Sequence, residues 1–233
     1  MRKNWIAYVP FYLLTVIVLL GIVRWGSGAV TTIAQSTPVK REFTFVIDAG
    51  HGGIDGGATS CTGVLESTIN LEIALRLGDL MRFLGYDVVM IRTTDESIHT
   101  EGTSIAQKKV SDLKERVRIV NETENGILIS IHQNTFSDSR YGGAQVFYAA
   151  DDPSRKIART VQESLVACLN PDSNRQCKKA SGVYLMEHIK RPGILIECGF
   201  LSNPEEEAKL RRPDYQKKLC CVIACATVLS VNA

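Results

Sequence analysis

Four side chains in this sequence have the types that hold a metal or move a proton: His51 in VIDAGHGG, Glu66 in VLES, His132 in ILISIH and Glu197 in GILIEC. Two imidazoles and one carboxylate, with a fourth position left open, are a recurrent ligand set of catalytic zinc, at about 2.0–2.2 Å from the ion. Zinc lowers the pKa of its bound water to about 7 and polarises a carbonyl, which makes amide hydrolysis feasible. Such a centre also needs a base that takes the water's proton and hands it to the leaving nitrogen. Glu197 is the candidate for that role. Its neighbours Ile194, Leu195 and Ile196 would raise its pKa, whereas a nearby dication would lower it.

Singly, each of the four has an ordinary structural account. His51 can be a turn histidine and His132 a hydrogen-bonded strand-end histidine. Glu197 can form a buried ion pair, since an ionised, unpaired glutamate is costly to bury. Glu66 can support a helix N-terminus, where negative charge is favourable. Their joint placement is what asks for more. His99, in DESIHTEGTS, and His188, in LMEHIKRPG, lie in polar surroundings and are expected to be solvated. The glycines around His51 lack the G-x-G-x-x-G spacing of a dinucleotide turn and no P-loop lysine follows, so a phosphate cradle is not expected. Close backbone approach, or positive φ in a tight turn, explains them better.

The elements that must position these residues follow from periodicity. EFTFVIDAG (42–50), YDVVMIR (86–92), GILISIH (126–132), GGAQVFYA (142–149), GVYLM (182–186) and PGILIECGF (192–200) read as strands. Helices are predicted from Ser67 or Thr68 to Gly85, over 104–122, over 153–169 and in the two segments that open at Pro204 and Pro213. Alternating strands and helices predict an α/β fold: a single domain over residues 42–231 with a twisted, mainly parallel sheet and helices on both faces. In such a sheet ligands sit beyond the carboxyl ends of the strands. His51, His132 and Glu197 each end an apolar strand run, and Glu66 stands in the loop just before a helix. All four are therefore predicted at one sheet edge.

The rest of the chain adds context. Residues 1–25 contain the uncharged run Trp5–Val23 behind Arg2 and Lys3, close to the ~20 apolar residues of a bilayer span. This segment is expected to be a membrane anchor or a signal sequence, with the remainder exported. Residues 26–41 are small, polar and aperiodic, as in a flexible linker. The 233 residues carry 27 basic and 25 acidic side chains, net +2, with no basic stripe, so nucleic acid is not an expected partner. Seven cysteines contain no C-x-x-C pair and imply no disulfide framework, although Cys168 and Cys177 flank a loop and could pair. Cys220, Cys221 and Cys225, in an apolar helix, are expected to act as small core hydrophobes.

In combination, IDAGHGGIDGGA, the glutamate of VLES, SIHQN and IECGFLSNPEEE resemble the zinc-dependent N-acetylmuramoyl-L-alanine amidases of the amidase-3 type. The resemblance runs from about Val46 to Leu229. GVYLM ahead of RPGILIECGFLSNPEE, and the absence of wall-binding repeats, make it most similar to the spore-cortex, germination-specific branch. It implies zinc held by His51, Glu66 and His132, with Glu197 as the catalytic glutamate. It implies hydrolysis, in peptidoglycan, of the amide joining muramic acid to L-alanine. A protein partner that activates the enzyme or helps assemble its metal site is compatible with it; an inserted autoinhibitory helix is not expected. Ala49 stands where proline is common in the family, and Cys198 follows the glutamate, but neither removes a ligand. The alternative class is a membrane-anchored module that binds peptidoglycan without cleaving it.

Overall fold

A computed structural model of the chain describes residues 42–232 and, near the amino terminus, 14–16 and 18. From Arg41 on, the chain forms one compact unit. The predicted anchor and linker lie outside the described residues, apart from 14–16 and 18, which are helical with exposed side chains. Among the described residues no helix is long and apolar enough to cross a membrane.

Six strands form the sheet: β1 (Thr44–Ala49), β2 (Asp87–Met90), β3 (Gly126–Asn134), β4 (Gln145–Tyr148), β5 (Lys178–Lys179) and β6 (Gly193–Phe200). Their order is β2-β1-β3-β6-β4-β5. β2, β1, β3 and β6 run parallel, while β4 is antiparallel to β6 and pairs in parallel with β5. The sheet is thus mixed; of its four parallel strands, β1 leads into His51, β3 carries His132 and β6 carries Glu197. Continuous apolar runs such as Ile127–Ile131 and Ile194–Ile196 are buried on both sides, as expected of strands covered by two layers.

The helices are α1 (Glu66–Phe83), α2 (Ile105–Glu122), α3 (Asp152–Leu169), α4 (Tyr184–His188), α5 (Pro204–Leu210) and α6 (Pro213–Asn232). One face of the sheet packs against α1, α3 and α6 through Ile73, Leu77, Val161, Leu165, Leu219 and Ile223. Each such side chain contributes about 1.5–3 kcal/mol on full burial. The other face is a smaller cluster around Val46, Leu128 and Leu195, closed by Val120 of α2 and by Leu185 and Met186 of α4. Helix starts follow local chemistry. Ser104 and Gln107 form a capping box on α2, Asp151 accepts from Ser154 N at α3, and Asn203 caps α5 just before Pro204.

Three expectations are corrected. GVYLM is not a strand: Tyr184–His188 is a short helix, with Tyr184 and His188 stacked at 3.9 Å and the Glu187 carboxylate accepting from Gly182 N. Leu185 and Met186 bury themselves from a helical turn, in the smaller of the two core clusters. α1 begins on Glu66 itself rather than after it. Cys220 is buried, but Cys221 and Cys225 lie on the outer side of α6 and are exposed. All seven cysteines are free, Cys168 and Cys177 included.

Candidate metal centre

The loop after β1 carries His51 in an unusual backbone state. Its φ is +61°, in the left-handed region that side chains with a Cβ rarely occupy. Two buried arginines hold the turn there. Arg92 donates to the carbonyls of Ala49 (2.8 Å) and Gly50 (3.1 Å), and also to Ser67 O and Thr94 O. Arg116, on α2, donates to Ala49 O (3.0 Å) and His51 O (2.8 Å) and is paired with Asp48 and Asp112. Asp48 also accepts from Ser130 Oγ at 2.6 Å, which ties β1 to β3. Although burial opposes it, the Arg116 charge holds the Asp48 carboxyl below its ordinary range. The site's backbone is therefore fixed by guanidinium donors aimed at carbonyl oxygens.

Glu66 enters from the first turn of α1 and is 4% exposed. Its Oε1 accepts from Gln133 N (3.1 Å) and Asn70 Nδ2 (3.2 Å), and its Oε2 accepts from Ala58 N (3.0 Å). The same oxygens meet the two rings: Oε1 lies 3.1 Å from His132 Nδ1, and Oε2 lies 3.3 Å from His51 Nε2. The rings stand edge to face with centroids 5.0 Å apart. Ligand atoms of His51, Glu66 and His132 all fall within 4.8 Å of one another.

Two glycines leave the space that this needs. A Cβ on Gly50 would lie 2.2 Å from the His132 ring. One on Gly57 would lie 2.6 Å from Glu66 Oε2 and 2.7 Å from His51 Cδ2.

Charge in the cluster is concentrated. Burial raises the Glu66 pKa, but the hydrogen bonds and charges of His132 and His51 drive it far below the usual carboxylate value. Burial lowers His51, yet Glu66 and then Asp55 raise it to about 9. Without a cation, protons on imidazole supply the positive charge that this carboxylate demands. Two imidazoles and a carboxylate converging on one point are a donor set that fits a borderline dication such as zinc.

Glu197 sits beside this cluster, in register with His132 on β3 and with Gln145 on β4. Among the described residues no lysine or arginine pairs with it. Its Oε2 is buried without a hydrogen-bond partner. Burial raises its pKa, helped by the negative charge of Glu66 and opposed by His132 and His51. β6 ends at Phe200, as the sequence pattern has it, whereas β3 runs on past His132 to Asn134, with a register shift after His132. All four predicted residues are brought together. His99 and His188 are not among them: His99 bonds Ser97, and His188 is exposed on α4.

Sequence reasoning missed Asp55, Asp48, Arg92 and Arg116. Asp55 carried a faint signal, four residues after His51 within the same glycine-rich loop. Arg116 carried none, since it lies in a helix where Lys108, Lys109, Lys114 and Arg118 look alike in sequence.

Known proteins are similar to this chain in sequence and in fold. Residues 45–227 match the family described as N-acetylmuramoyl-L-alanine amidase. The germination-specific N-acetylmuramoyl-L-alanine amidase of Bacillus subtilis is 36% identical over 228 residues, covering 96% of this chain and 93% of that protein. The CwlD amidase of Clostridioides difficile, solved in complex with the GerS lipoprotein, superposes with a TM-score of 0.78 at 36% identity, covering 82% of this chain and 98% of that one. An N-acetylmuramoyl-L-alanine amidase from Clostridium difficile 630 follows at a TM-score of 0.71 and 30% identity, covering 82% and 97%.

Proposed function

The chain belongs to the N-acetylmuramoyl-L-alanine amidases, and on that premise we propose that it is a zinc enzyme of the spore cortex, acting outside the cytoplasmic membrane to prepare for germination. Its substrate is peptidoglycan, cut at the amide between N-acetylmuramic acid and L-alanine. The observation that carries the zinc reading is the convergence of His51, Glu66 and His132 within 4.8 Å. The cortex role is supported by similarity to the germination-specific enzyme across 96% of this chain. The uncharged run Trp5–Val23 supports membrane attachment of the amidase domain of residues 42–231 through the linker of residues 26–41. A protein partner is supported by the relative solved with a lipoprotein bound.

Each residue's part follows from its surroundings. When bound, zinc supplies a Lewis acid for the carbonyl and an acidified water. His51, Glu66 and His132 would hold it. Glu197 takes the proton of the attacking water, whose oxygen bonds to the carbonyl carbon. Glu197 then returns that proton to the nitrogen of L-alanine as the C–N bond breaks. A carboxylate with a raised pKa and an unoccupied oxygen is suited to both halves of that transfer. Arg92 and Arg116 keep the His51 loop from relaxing during the cycle.

Digestion of purified peptidoglycan, with metal analysis of the protein, tests the reading. Release of stem peptides with a free L-alanine amine, abolished by chelation and restored by zinc, is expected. Full activity after chelation would overturn it.

A further inference from the structure

Lys109 reaches the metal centre through a relay rather than through a ligand. Its ammonium lies 2.7 Å from Asp55 Oδ1, and the other oxygen, Oδ2, lies 2.9 Å from His51 Nδ1. The opposite ring nitrogen, Nε2, is the one turned to Glu66. Nε2 is thus the atom offered to a metal, and Nδ1–H is the group that Asp55 accepts from. We propose that Asp55 is a positioning residue for His51, and that Lys109, by sharing the Asp55 carboxylate, holds the zinc affinity of the site below what Asp55 alone would give. The inference rests on the zinc reading above.

A carboxylate on the far nitrogen of a ligating histidine fixes the tautomer, aims the ring and strengthens its donation to the metal. An ammonium on the same carboxylate draws that charge away. Three observations favour tuning over scaffolding. The Asp55 backbone exchanges two hydrogen bonds with Gly52, at 2.7 and 3.1 Å, so its place does not depend on Lys109. Lys109 is 46% exposed and meets one oxygen of one carboxylate. Arg116, two turns along the same helix, is 3% exposed and bound to two carboxylates and two carbonyls. One helix therefore delivers one cation that builds the loop and one that shares a charge with it. Lys109 also lines, with His51, His132 and Tyr184, a cavity of about 200 Å³ beside the centre.

The test is the zinc dissociation constant of the full chain, measured by competition with a fluorescent chelator. Asp55→Asn keeps an oxygen for Nδ1–H but removes the charge, and is expected to weaken zinc about tenfold. Lys109→Met keeps the stem but removes the ammonium, and is expected to tighten zinc about two- to fivefold, the scale of a half-exposed ion pair. Lys109→Met in the Asp55→Asn background should change nothing. The absorption spectrum of the cobalt-substituted Lys109→Met protein should match wild type, because the ligands are untouched. A Lys109→Met protein that binds zinc more weakly, or equally, overturns the inference, as does an unaffected Asp55→Asn. A wild-type chain that takes up no zinc overturns the zinc reading with it. Wild-type binding without the opposed shifts overturns the inference alone.

Discussion

At the start of α1, Glu66 has both oxygens occupied, by two backbone N–H groups, an asparagine amide and two imidazoles. On β6, in register with His132, Glu197 has an oxygen that nothing reaches. Both carboxylates are enclosed and both feel the same histidines, yet one is driven strongly acidic and the other is pushed up by burial. On the mechanism proposed above, their environments separate a group that would hold a cation in its ionised form from one that would gain and lose a proton. Pairs of titratable groups driven apart in this way mark acid–base assignments in active sites.

The largest test of that contrast is to neutralise each carboxylate in turn. Glu197→Gln is expected to lower turnover of peptidoglycan by about 10²–10⁴-fold, the usual worth of a general acid–base group, while zinc content stays stoichiometric. Glu66→Gln should instead lose stoichiometric zinc and, with it, activity. Equal zinc loss in both variants would erase the distinction.

Asp48 sharpens the comparison from outside the cluster, since it resembles Glu66 in being saturated. Its partners Arg116 and Ser130 are buried with it. Asp48→Asn leaves the Arg116 guanidinium without its closest counter-charge and is expected to cost about 3–5 kcal/mol in urea unfolding. The folded pKa of Asp48 lies below its ordinary 3.8. Its contribution is therefore complete above that value and is lost as pH falls through the folded pKa. The gap between wild type and Asp48→Asn should narrow below pH 3.8; a gap independent of acid would mean that the ion pair contributes nothing.

A smaller effect comes from the clearance. Gly50→Ala places a Cβ 2.2 Å from His132 Cε1 and Nε2. The ring must move, at about 1–3 kcal/mol of overpacking. Zinc affinity should fall while the helical circular dichroism stays unchanged, because the strain lies at the edge of the sheet.

Much of this was legible in the residues. Strand runs such as ILISI and GILI announced a buried sheet; three of the four chemical side chains stood at the ends of apolar strand runs and the fourth, Glu66, at a helix start. GVYLM failed because five apolar-leaning residues fit one helical turn as well as a strand, and only packing on the smaller face decides between them. Cys221 and Cys225 failed because the apolar run of α6 is longer than the stripe that its neighbours cover. Asp48 looked like the last residue of a strand and Arg116 like one more helix cation. A buried pair between them exists only after β1 and α2 are brought together, 68 positions apart.

The smallest expected effect returns to Glu197 and carries the opposite sign. Burial, the largest influence, raises its pKa above the ordinary 4.5; the charge of His132 pulls it back and that of Glu66 pushes it further. The folded, metal-free state therefore binds this proton more tightly than the unfolded chain does. Ionising Glu197 costs stability progressively as pH rises from 4.5 through its folded value. Glu197→Gln removes that cost, so the metal-free variant should be more stable than wild type at pH 7, by on the order of 1 kcal/mol, the scale of one unsatisfied buried group. In a chain of this size that is about 2–4 °C in Tm. At pH 4, where wild-type Glu197 is protonated, the two melting curves should converge. A variant that gains stability while losing turnover would show that the free oxygen of Glu197 is kept for chemistry at the expense of the fold. A variant that melts lower at pH 7 would mean that Glu197, like Glu66, is already satisfied in the folded protein, and the contrast between the two carboxylates would collapse.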